Sequence, residues 1–416
     1  MLTSLNSAFR AGSISASVLY KYLTSEVKYE EEAVPSEAGG ETLIRRATAM
    51  QALAETFQSY GGVLAKLAQM LCYDDESNTA FSECRPASVA PTIEYLKKVA
   101  MLPPLKDNVS INYEVYKSGS IGQVHKATRN GEKLVIKVRY AGLAEQVKTD
   151  IFILEKVSKL LFGFADFHQA MIDIRSKLTE ELDYTTEIKN QQTIHQIFST
   201  NKYIHIPEVY PALSTDAFIV MEQIEGQSLG EFIETARQSE KNLIAISLVS
   251  FIFTALIKHK IYYSDIHYGN FLVKRTPTPV LCVTDFGCLH YVREDILQDI
   301  LAMYKSILLD DRPAFFEAAV HLEVYDPETI PEFAKDYLWE YISLQMLPWT
   351  TPHFVFTKQY SEESKYKKTE IMKHWKIPAD LVYFMKIPYC MVFILTKLNA
   401  EGDFKAIVST LVGQNS

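Results

Sequence analysis

The sequence predicts an α+β protein that has a helical N-terminal extension, a small sheet-containing lobe and a large helical lobe. Three observations lead to this class. Apolar residues recur at helical spacing in residues 42–71, strand-like runs alternate with turn signals over residues 115–138, and helical spacing returns from Glu294 onward. This order is typical of a two-lobed enzyme with a cleft between its lobes. The predicted boundaries are 1–105 for the extension, 106–224 for the first lobe and 225–416 for the second.

Composition excludes several classes of protein. The chain has 416 residues, of which 48% are hydrophobic and 22% are charged, and this is ordinary globular usage rather than that of a disordered or coiled-coil chain. The net charge of −9 disfavours a nucleic-acid partner, because binding to phosphates needs a basic surface. The five cysteines are odd in number and lack metal-ligand spacing, which favours a reducing compartment.

Targeting signals leave the location open. The longest apolar run, residues 246–257, is too short to span a bilayer and predicts a buried core helix. Residues 1–25 are serine-rich, contain Arg10 and Lys21, and have no acidic residue. Such a segment has a faint resemblance to an organelle-transit sequence, but a polar helix or a loose terminus is the favoured interpretation. We therefore expect a cytoplasmic or mitochondrial protein, either soluble or bound at a membrane surface.

The middle of the chain predicts a small sheet followed by helices. Residues 115–116 and 123–127 are typical of strands, Asn130-Gly131 is a strong hairpin signal, and residues 134–138 form a buried-strand run. Further elements are predicted as helices at 149–162, 169–198 and 243–257, with extended segments at 206–209 and 217–222.

A glycine-containing turn and a lysine strand predict contacts to phosphate groups. Residues 117–124 match the glycine loop G-x-G-x-x-G-x-V at Gly119, Gly122 and Val124, while Lys117 replaces the first glycine. Taken alone, this turn fits a plain hairpin as well. Lys137 lies inside an apolar strand, where a charge is costly unless it is paired. Its position fits the lysine that holds nucleotide phosphates, and the alternative is a lysine on an edge strand.

The following helix offers an acidic partner for this lysine. Asp183, Glu187 and Asn190 lie within roughly 60° of one another on a helical projection. A polar stripe of this kind is often only solvated. Glu187 is nevertheless the predicted ion-pair partner of Lys137.

The strongest signal combines Asp265, Asn270 and the run Asp285-Phe286-Gly287. This spacing is that of the catalytic loop and metal-binding turn of kinase-like folds. Asn270 and Asp285 offer the oxygen ligands that Mg²⁺ prefers, and Asp265 would accept a proton from the attacking hydroxyl or water, or orient it. His267 is expected to hydrogen-bond the loop rather than bind a metal.

Together these motifs resemble those of the UbiB (AarF/ADCK) family of atypical kinase-like proteins. Four stretches show the likeness, and they are Lys66-Leu67-Ala68-Gln69, residues 120–125, Glu181-Leu182-Asp183-Tyr184 with Glu187 and Asn190, and residues 265–271. Three departures are Ala68 in place of a glycine, Lys117-Ser118-Gly119 in place of an alanine run, and Ile266 and Tyr268 in place of prolines.

The resemblance implies a protein-kinase-like fold whose N-terminal extension packs over the cleft, with ATP and Mg²⁺ as cofactors. Lys66 would pair with Glu181 or Asp183, and Gln69 would lie one turn away. The nucleotide-binding residues implied or predicted are Ser118, Gly119, Ser120, Ile121, Gly122, Val124, Lys137, Met221, Glu222, Ile224 and Asn270. The family is associated with ATP hydrolysis and with isoprenoid-quinone synthesis at membranes. It thus implies a membrane surface, a lipid precursor or proteins of a quinone-synthesis assembly as partners.

Three alternatives stay open at this stage. A protein kinase is disfavoured because no Ala-Pro-Glu follows Gly287 and helical spacing resumes at Ile296. A small-molecule phosphotransferase has a similar catalytic loop but does not account for the Lys66 and Glu181 stretches. A nucleotide-sensing scaffold without turnover is the third, although every phosphate and metal position is filled.

Overall fold

The structure is a computed structural model that describes residues 89–143 except 102, 104, 107, 120 and 121, then residues 183–371, and residues 381, 384 and 386–413. This part of the chain divides into two units. The first contains the described residues up to Ile188 together with Val209–Gln223, and the second contains Lys189–Glu208 and the described residues from Ile224 onward. Residues 189–208, which the predicted boundaries assign to the first lobe, therefore pack within the second unit.

The helices and strands are numbered in chain order. The helices are α1 (Val89–Ala100), α2 (Tyr184–Phe198), α3 (Leu229–Thr235), α4 (Gln238–His259), α5 (Glu294–Leu309), α6 (Arg312–His321), α7 (Glu332–Thr350), α8 (Lys358–Ile371), α9 (Lys386–Lys397) and α10 (Phe404–Gly413). The strands are β1 (Ser110–Ser118), β2 (Gly122–Arg129), β3 (Glu132–Arg139), β4 (Ile204–His205), β5 (Phe218–Glu222), β6 (Gln227–Ser228), β7 (Ile261–Tyr263), β8 (Phe271–Thr276), β9 (Thr278–Val283), β10 (Leu289–Tyr291), β11 (Phe354–Val355) and β12 (Glu401–Gly402).

The first unit contains an antiparallel sheet of four strands in the order β1-β2-β3-β5. Asn130 and Gly131 join β2 to β3 with φ angles of 52° and 85°, so the predicted hairpin is confirmed. Because β3 pairs with β2 on one side and with β5 on the other, Lys137 stands on an interior strand. The edge-strand alternative for this lysine is thereby excluded.

Alternation along β3 gives the sheet two different faces. Leu134, Ile136 and Val138 point to one face, where they form a core with Leu96 of α1. Side chains of the opposite face form a second cluster with the start of α2, and its members are Val135, Tyr184, Ile188, Val209, Ile219 and Met221, with Val124 packed against it. Lys137 has the same parity along β3 as Val135, and it therefore lies on this second face.

The second unit is built around α4. Ten residues of this helix are buried, among them Leu248, Phe251 and Ala255. A sheet in the order β4-β9-β8-β6 and the two-stranded pairs β7-β10 and β11-β12 belong to the same unit. The continuous helical spacing predicted from Glu294 onward appears as α5 and the helices that follow it.

Helix α4 contains the apolar run 246–257 and extends beyond it at both ends. Among the described residues it is the one helix that is long and apolar enough to cross a membrane, by length and composition alone. Of its most apolar window, 56% is buried within the protein, which is consistent with the predicted core helix.

Two other predictions differ from the structure in a physically understandable way. Of the helix predicted over residues 169–198, residues 169–182 lie outside the described residues. Within the described part, α2 begins at Tyr184, because Asp183 is the residue that caps it. The extended segments predicted at 206–209 and 217–222 meet only through a single bridge between Val209 and Met221, while β4 pairs with β9 instead. The helices predicted at 42–71 and 149–162 lie outside the described residues.

Candidate functional site

Lys137 and Glu187 form a buried ion pair in the first unit. Lys137 Nζ lies 2.6 Å from Glu187 Oε1, and the two side chains are 13% and 3% exposed. Strand β3 and helix α2 supply one partner each, as the sequence predicted. Such a pair offsets the cost of placing a lysine charge inside an apolar surrounding.

The aromatic ring of Tyr184 also contacts the Lys137 ammonium group. Lys137 Nζ stands over that ring at 5.3 Å from its centroid, and Tyr184 is fully buried. Tyr184 belongs to the Glu-Leu-Asp-Tyr stretch, and the sequence predicted no role for it. Its position one helical turn before Glu187 was the available signal, because residues three apart share a helix face.

The glycine turn between β1 and β2 is fixed by backbone hydrogen bonds. Gly119 N donates to Gly122 O at 2.8 Å, and Tyr140 Oη donates to Gly119 O at 3.0 Å. Burial raises the pKa of Tyr140 to about 12, so its hydroxyl stays a donor at neutral pH. No motif pointed to Tyr140. Ser118 ends β1, while Ser120 and Ile121 lie outside the described residues.

Gly122 is the glycine with the tightest surroundings in this turn. A methyl group at this position would lie 2.5 Å from the carbonyl oxygen of Val138 and 2.9 Å from Tyr184 Oη. The backbone of β3 therefore requires a glycine here. This requirement explains the match to the glycine-loop pattern without any reference to a ligand.

Two of the residues predicted to bind the nucleotide, Met221 and Glu222, occupy the end of β5. Met221 is buried and pairs with Val135 across the sheet, and Glu222 pairs with Leu134. Val124 packs against the cluster that contains Met221. Ile224 is buried in the second unit.

Asp183 acts as the N-terminal cap of α2. Its Oδ1 accepts from Thr185 N at 3.0 Å and from the Thr185 hydroxyl, and its Oδ2 accepts from Thr186 Oγ1 at 2.9 Å. The hydrogen bond from the Thr185 side chain is the main reason that the pKa of Asp183 lies below its usual range. Lys66, Gln69 and Glu181, with which this aspartate was associated, lie outside the described residues.

The catalytic-loop motif of the second unit forms a short 3₁₀ turn at Tyr268–Asn270. Asn270 Nδ2 donates at 2.9 Å both to Asp265 O and to Asp265 Oδ2. His267 Nδ1 accepts from Gly269 N at 3.0 Å, and its Nε2 lies 3.4 Å from Asp265 Oδ2. His267 thus hydrogen-bonds the loop, as expected, and with Asn270 it fixes the Asp265 carboxylate.

Asn270 and Asp285 stand at the same end of the β8-β9 hairpin. Thr284, next to Asp285, donates its backbone N–H to Asn270 O at 3.0 Å, and Gly287 N donates to Asp285 Oδ1 at 3.1 Å. Asn190 of α2 donates from Nδ2 to Phe286 O at 3.0 Å. This bond fixes the middle residue of the Asp-Phe-Gly turn.

The donor atoms at this end of the hairpin fit a magnesium ion. Because its nitrogen donates to Asp265, the Asn270 amide would offer its oxygen as a ligand atom, and Asp285 would add a carboxylate. Across the described ranges, no group of three or more histidine, cysteine, aspartate or glutamate side chains could hold a metal. A set of so few protein ligands suits Mg²⁺, which commonly takes its remaining ligands from nucleotide phosphates and water.

Tyr263 and Ser264 connect the catalytic loop to the chain that follows Gly287. Ser264 N donates to Cys288 O at 3.1 Å, and Ser264 Oγ lies 3.0 Å from His290 Nε2. Burial raises the pKa of Tyr263 well above its usual range, and the charges of Asp265 and Asp285 raise it further. The Tyr263 phenol is therefore neutral. Cys282 is buried and Cys288 is half-buried.

Comparisons with known proteins place these motifs in one family. A family model described as the ABC1 atypical kinase-like domain matches residues 84–319. The probable serine/threonine-protein kinase abkB of Dictyostelium discoideum is 28% identical over 288 residues, which are 63% of this chain and 42% of the relative. The mitochondrial atypical kinase COQ8 of Saccharomyces cerevisiae is 25% identical over 281 residues, covering 64% of this chain and 56% of the relative.

Structural similarity agrees with the sequence match. The structure of Rv3197 in complex with erythromycin, from Mycobacterium tuberculosis, superimposes with a TM-score of 0.64 at 20% identity and covers 91% of this chain and 99% of that one. The chain spans about half the length of the curated relatives it matches. Because the family model covers more than half of the chain, this α+β, kinase-like protein belongs to the ABC1 family of atypical kinases, the group also named UbiB, AarF or ADCK.

Proposed function

We propose that this protein binds Mg-ATP and cleaves its terminal phosphate bond, as an ATPase or a kinase of small molecules. The observation that supports this most is the ion pair between Lys137 and Glu187, 2.6 Å long and almost fully buried on an interior strand. A purely structural core would gain more from apolar residues at both positions. The pair therefore points to a function for the charge.

Each side chain would have a separate task. Lys137 would neutralise phosphate charge while Glu187 holds its ammonium group in place. Asn270 and Asp285 would hold the magnesium ion, which supplies charge neutralisation at the phosphates. Asp265, fixed through its Oδ2 by Asn270 and His267, would orient the attacking hydroxyl or water and accept its proton. The charged groups thus supply electrostatic stabilisation, which is most of what phosphoryl transfer requires.

The segment after Gly287 favours water or a small molecule over a protein as acceptor. Strand β10 pairs with β7 directly after this glycine, and α5 begins at Glu294. Little chain remains for the extended segment with which protein kinases bind peptide substrates. A scaffold without turnover is not favoured, because the Asp265 carboxylate accepts a hydrogen bond from Asn270 and lies 3.4 Å from His267 Nε2.

The family resemblance extends this proposal to a cellular role. We place the protein in isoprenoid-quinone or other membrane-lipid metabolism, at an organelle membrane surface and beside proteins of a quinone-synthesis assembly. Relatives named as mitochondrial and chloroplastic support an organelle location. The roles of Lys66 and Gln69 as residues of an extension over the cleft, with Glu181 as a partner of Lys66, remain part of the same proposal.

Phosphate release in a single turnover tests the enzymatic part of this proposal. ATP would be mixed with excess protein, with and without liposomes and phenolic quinone precursors. The unmodified protein is expected to release phosphate, and Asp285→Asn is the matched control because it removes a ligand charge with little change of shape. Equal release by both proteins would contradict the proposal.

A further inference from the structure

Tyr184 contacts the two elements of the first unit that are proposed to bind phosphate groups. The first contact is to Lys137, whose ammonium nitrogen stands over the Tyr184 ring, 5.3 Å from its centroid. The ring is fully buried, and the lysine side chain is 13% exposed. An ammonium group over the face of an aromatic ring is attracted by its quadrupole, and the attraction is largest when both are removed from water.

The second contact is to the glycine turn. A methyl group at Gly122 would lie 2.9 Å from Tyr184 Oη, so the hydroxyl end of the ring packs directly against this glycine. Gly122 also helps to close this turn, because its carbonyl oxygen accepts a hydrogen bond from Gly119 N. One side chain therefore lies against both the base of the turn and the lysine.

Tyr184 and Glu187 restrict the lysine in different ways. Glu187 attracts the ammonium group through a short ion pair on one side. The ring supplies a flat surface that attracts the same cation without competing for its hydrogen bonds. When Lys137 turns one N–H toward a phosphate oxygen, the ring contact is therefore retained. An aliphatic residue of similar size would fill the space but would not attract the charge.

We propose that Tyr184 is a positioning residue for nucleotide phosphates, acting through Lys137. This inference depends on the proposed function, in which Lys137 binds ATP. The aromatic ring is the part that matters, and the hydroxyl contributes packing against Gly122. Replacement by phenylalanine should therefore preserve phosphate binding, and replacement by an aliphatic side chain should not.

The test measures the affinities for Mg-ATP and for adenosine by calorimetry in the full chain. Tyr184→Phe is expected to bind Mg-ATP within about twofold of the unmodified protein, whereas Tyr184→Leu and Tyr184→Met should bind it about tenfold more weakly. Adenosine has no phosphates, so its affinity should stay unchanged in all three variants. Phe218→Leu is the matched control, because it truncates a buried aromatic residue on the opposite face of the same sheet.

A double-mutant cycle with Lys137→Ala completes the design. If Tyr184 acts through the lysine, Tyr184→Leu should cause no further loss in the Lys137→Ala background. Unchanged ATP affinity in both aliphatic variants would overturn the inference, and so would an equal loss of adenosine and ATP, which would indicate a general structural defect. Normal ATP affinity in Lys137→Ala alone would overturn the proposed function, and with it the role given to Tyr184.

Discussion

At the scale of single residues, the proposed function depends on the ion pair between Lys137 and Glu187. Glu187 is 3% exposed and Lys137 is 13% exposed, so each side chain relies on the other to compensate for lost hydration. Removing one partner leaves a buried charge, whereas replacing both with apolar residues removes the problem. Stability and nucleotide binding should therefore respond differently to single and double substitution.

We predict that Lys137→Ala lowers the free energy of unfolding by about 3 kcal/mol, because Glu187 then stays buried without its cation. The double variant Lys137→Met with Glu187→Leu should recover most of that loss and still fail to bind Mg-ATP. Urea unfolding measures the first quantity and calorimetry the second. An equally large loss of stability in the double variant would show that the ion pair is mainly structural.

The sequence predicted the residues of this pair because both belong to motifs with fixed spacing. It did not predict Tyr184 or Tyr140 as parts of the site. Their contacts, to the Lys137 ammonium group and to the Gly119 carbonyl, depend on tertiary packing that spacing does not encode. His267 was correctly expected to hydrogen-bond the loop, because a lone histidine between two motif residues seldom binds a metal.

At the scale of elements, the start of α2 shows how a local hydrogen bond overrides helical periodicity. The apolar spacing of Ile174, Leu178 and Leu182 predicted a helix that continued through Asp183. An aspartate side chain competes for backbone N–H groups, however, and Asp183 uses both oxygens to cap the turn that follows. Strands β2 and β3 were predictable because the Asn130-Gly131 turn determines their register.

We predict that Asp183→Ala destabilises the protein by about 1 kcal/mol at pH 7 through loss of this cap. The pKa of Asp183 is lowered in the folded state, so the contribution of its charge is complete at neutral pH. In the unfolded chain the pKa of an aspartate is about 4. The stabilising contribution of the Asp183 charge is therefore lost as the pH falls below that value and through the lower pKa of the folded state. Urea unfolding should show that the difference in free energy of unfolding between the unmodified protein and Asp183→Ala decreases from pH 7 to pH 3.

Asp183→Asn is the control for this prediction. Asparagine caps helices about as well as aspartate but does not ionise in this range, so its stability difference from alanine should not change with pH. If the difference in free energy of unfolding between the unmodified protein and Asp183→Ala stayed constant down to pH 3, the charge of Asp183 would have no role in capping the helix.

At the scale of the whole molecule, the proposed nucleotide-binding residues belong to two packing units. Lys137 and Glu187 lie in the first unit, and Asp265, Asn270 and Asp285 lie in the second. The sequence predicted the order of these motifs along the chain, and the family match over residues 84–319 supports the same order. Residues 189–208 pack within the second unit, and the sequence offers no signal for this, because a helix that begins in one unit and ends in the other has no compositional break.

Calorimetric titration of Mg-ATP into the full chain tests whether the kinase-like motifs bind a nucleotide. The titration is repeated with one variant in each unit. Lys137→Ala and Asp285→Asn should each weaken binding by at least tenfold, because one removes a phosphate contact and the other a metal ligand. Phe218→Leu should bind as the unmodified protein does. If both charged residues could be replaced with no change in Mg-ATP affinity, this chain would not use its kinase-like motifs to bind a nucleotide.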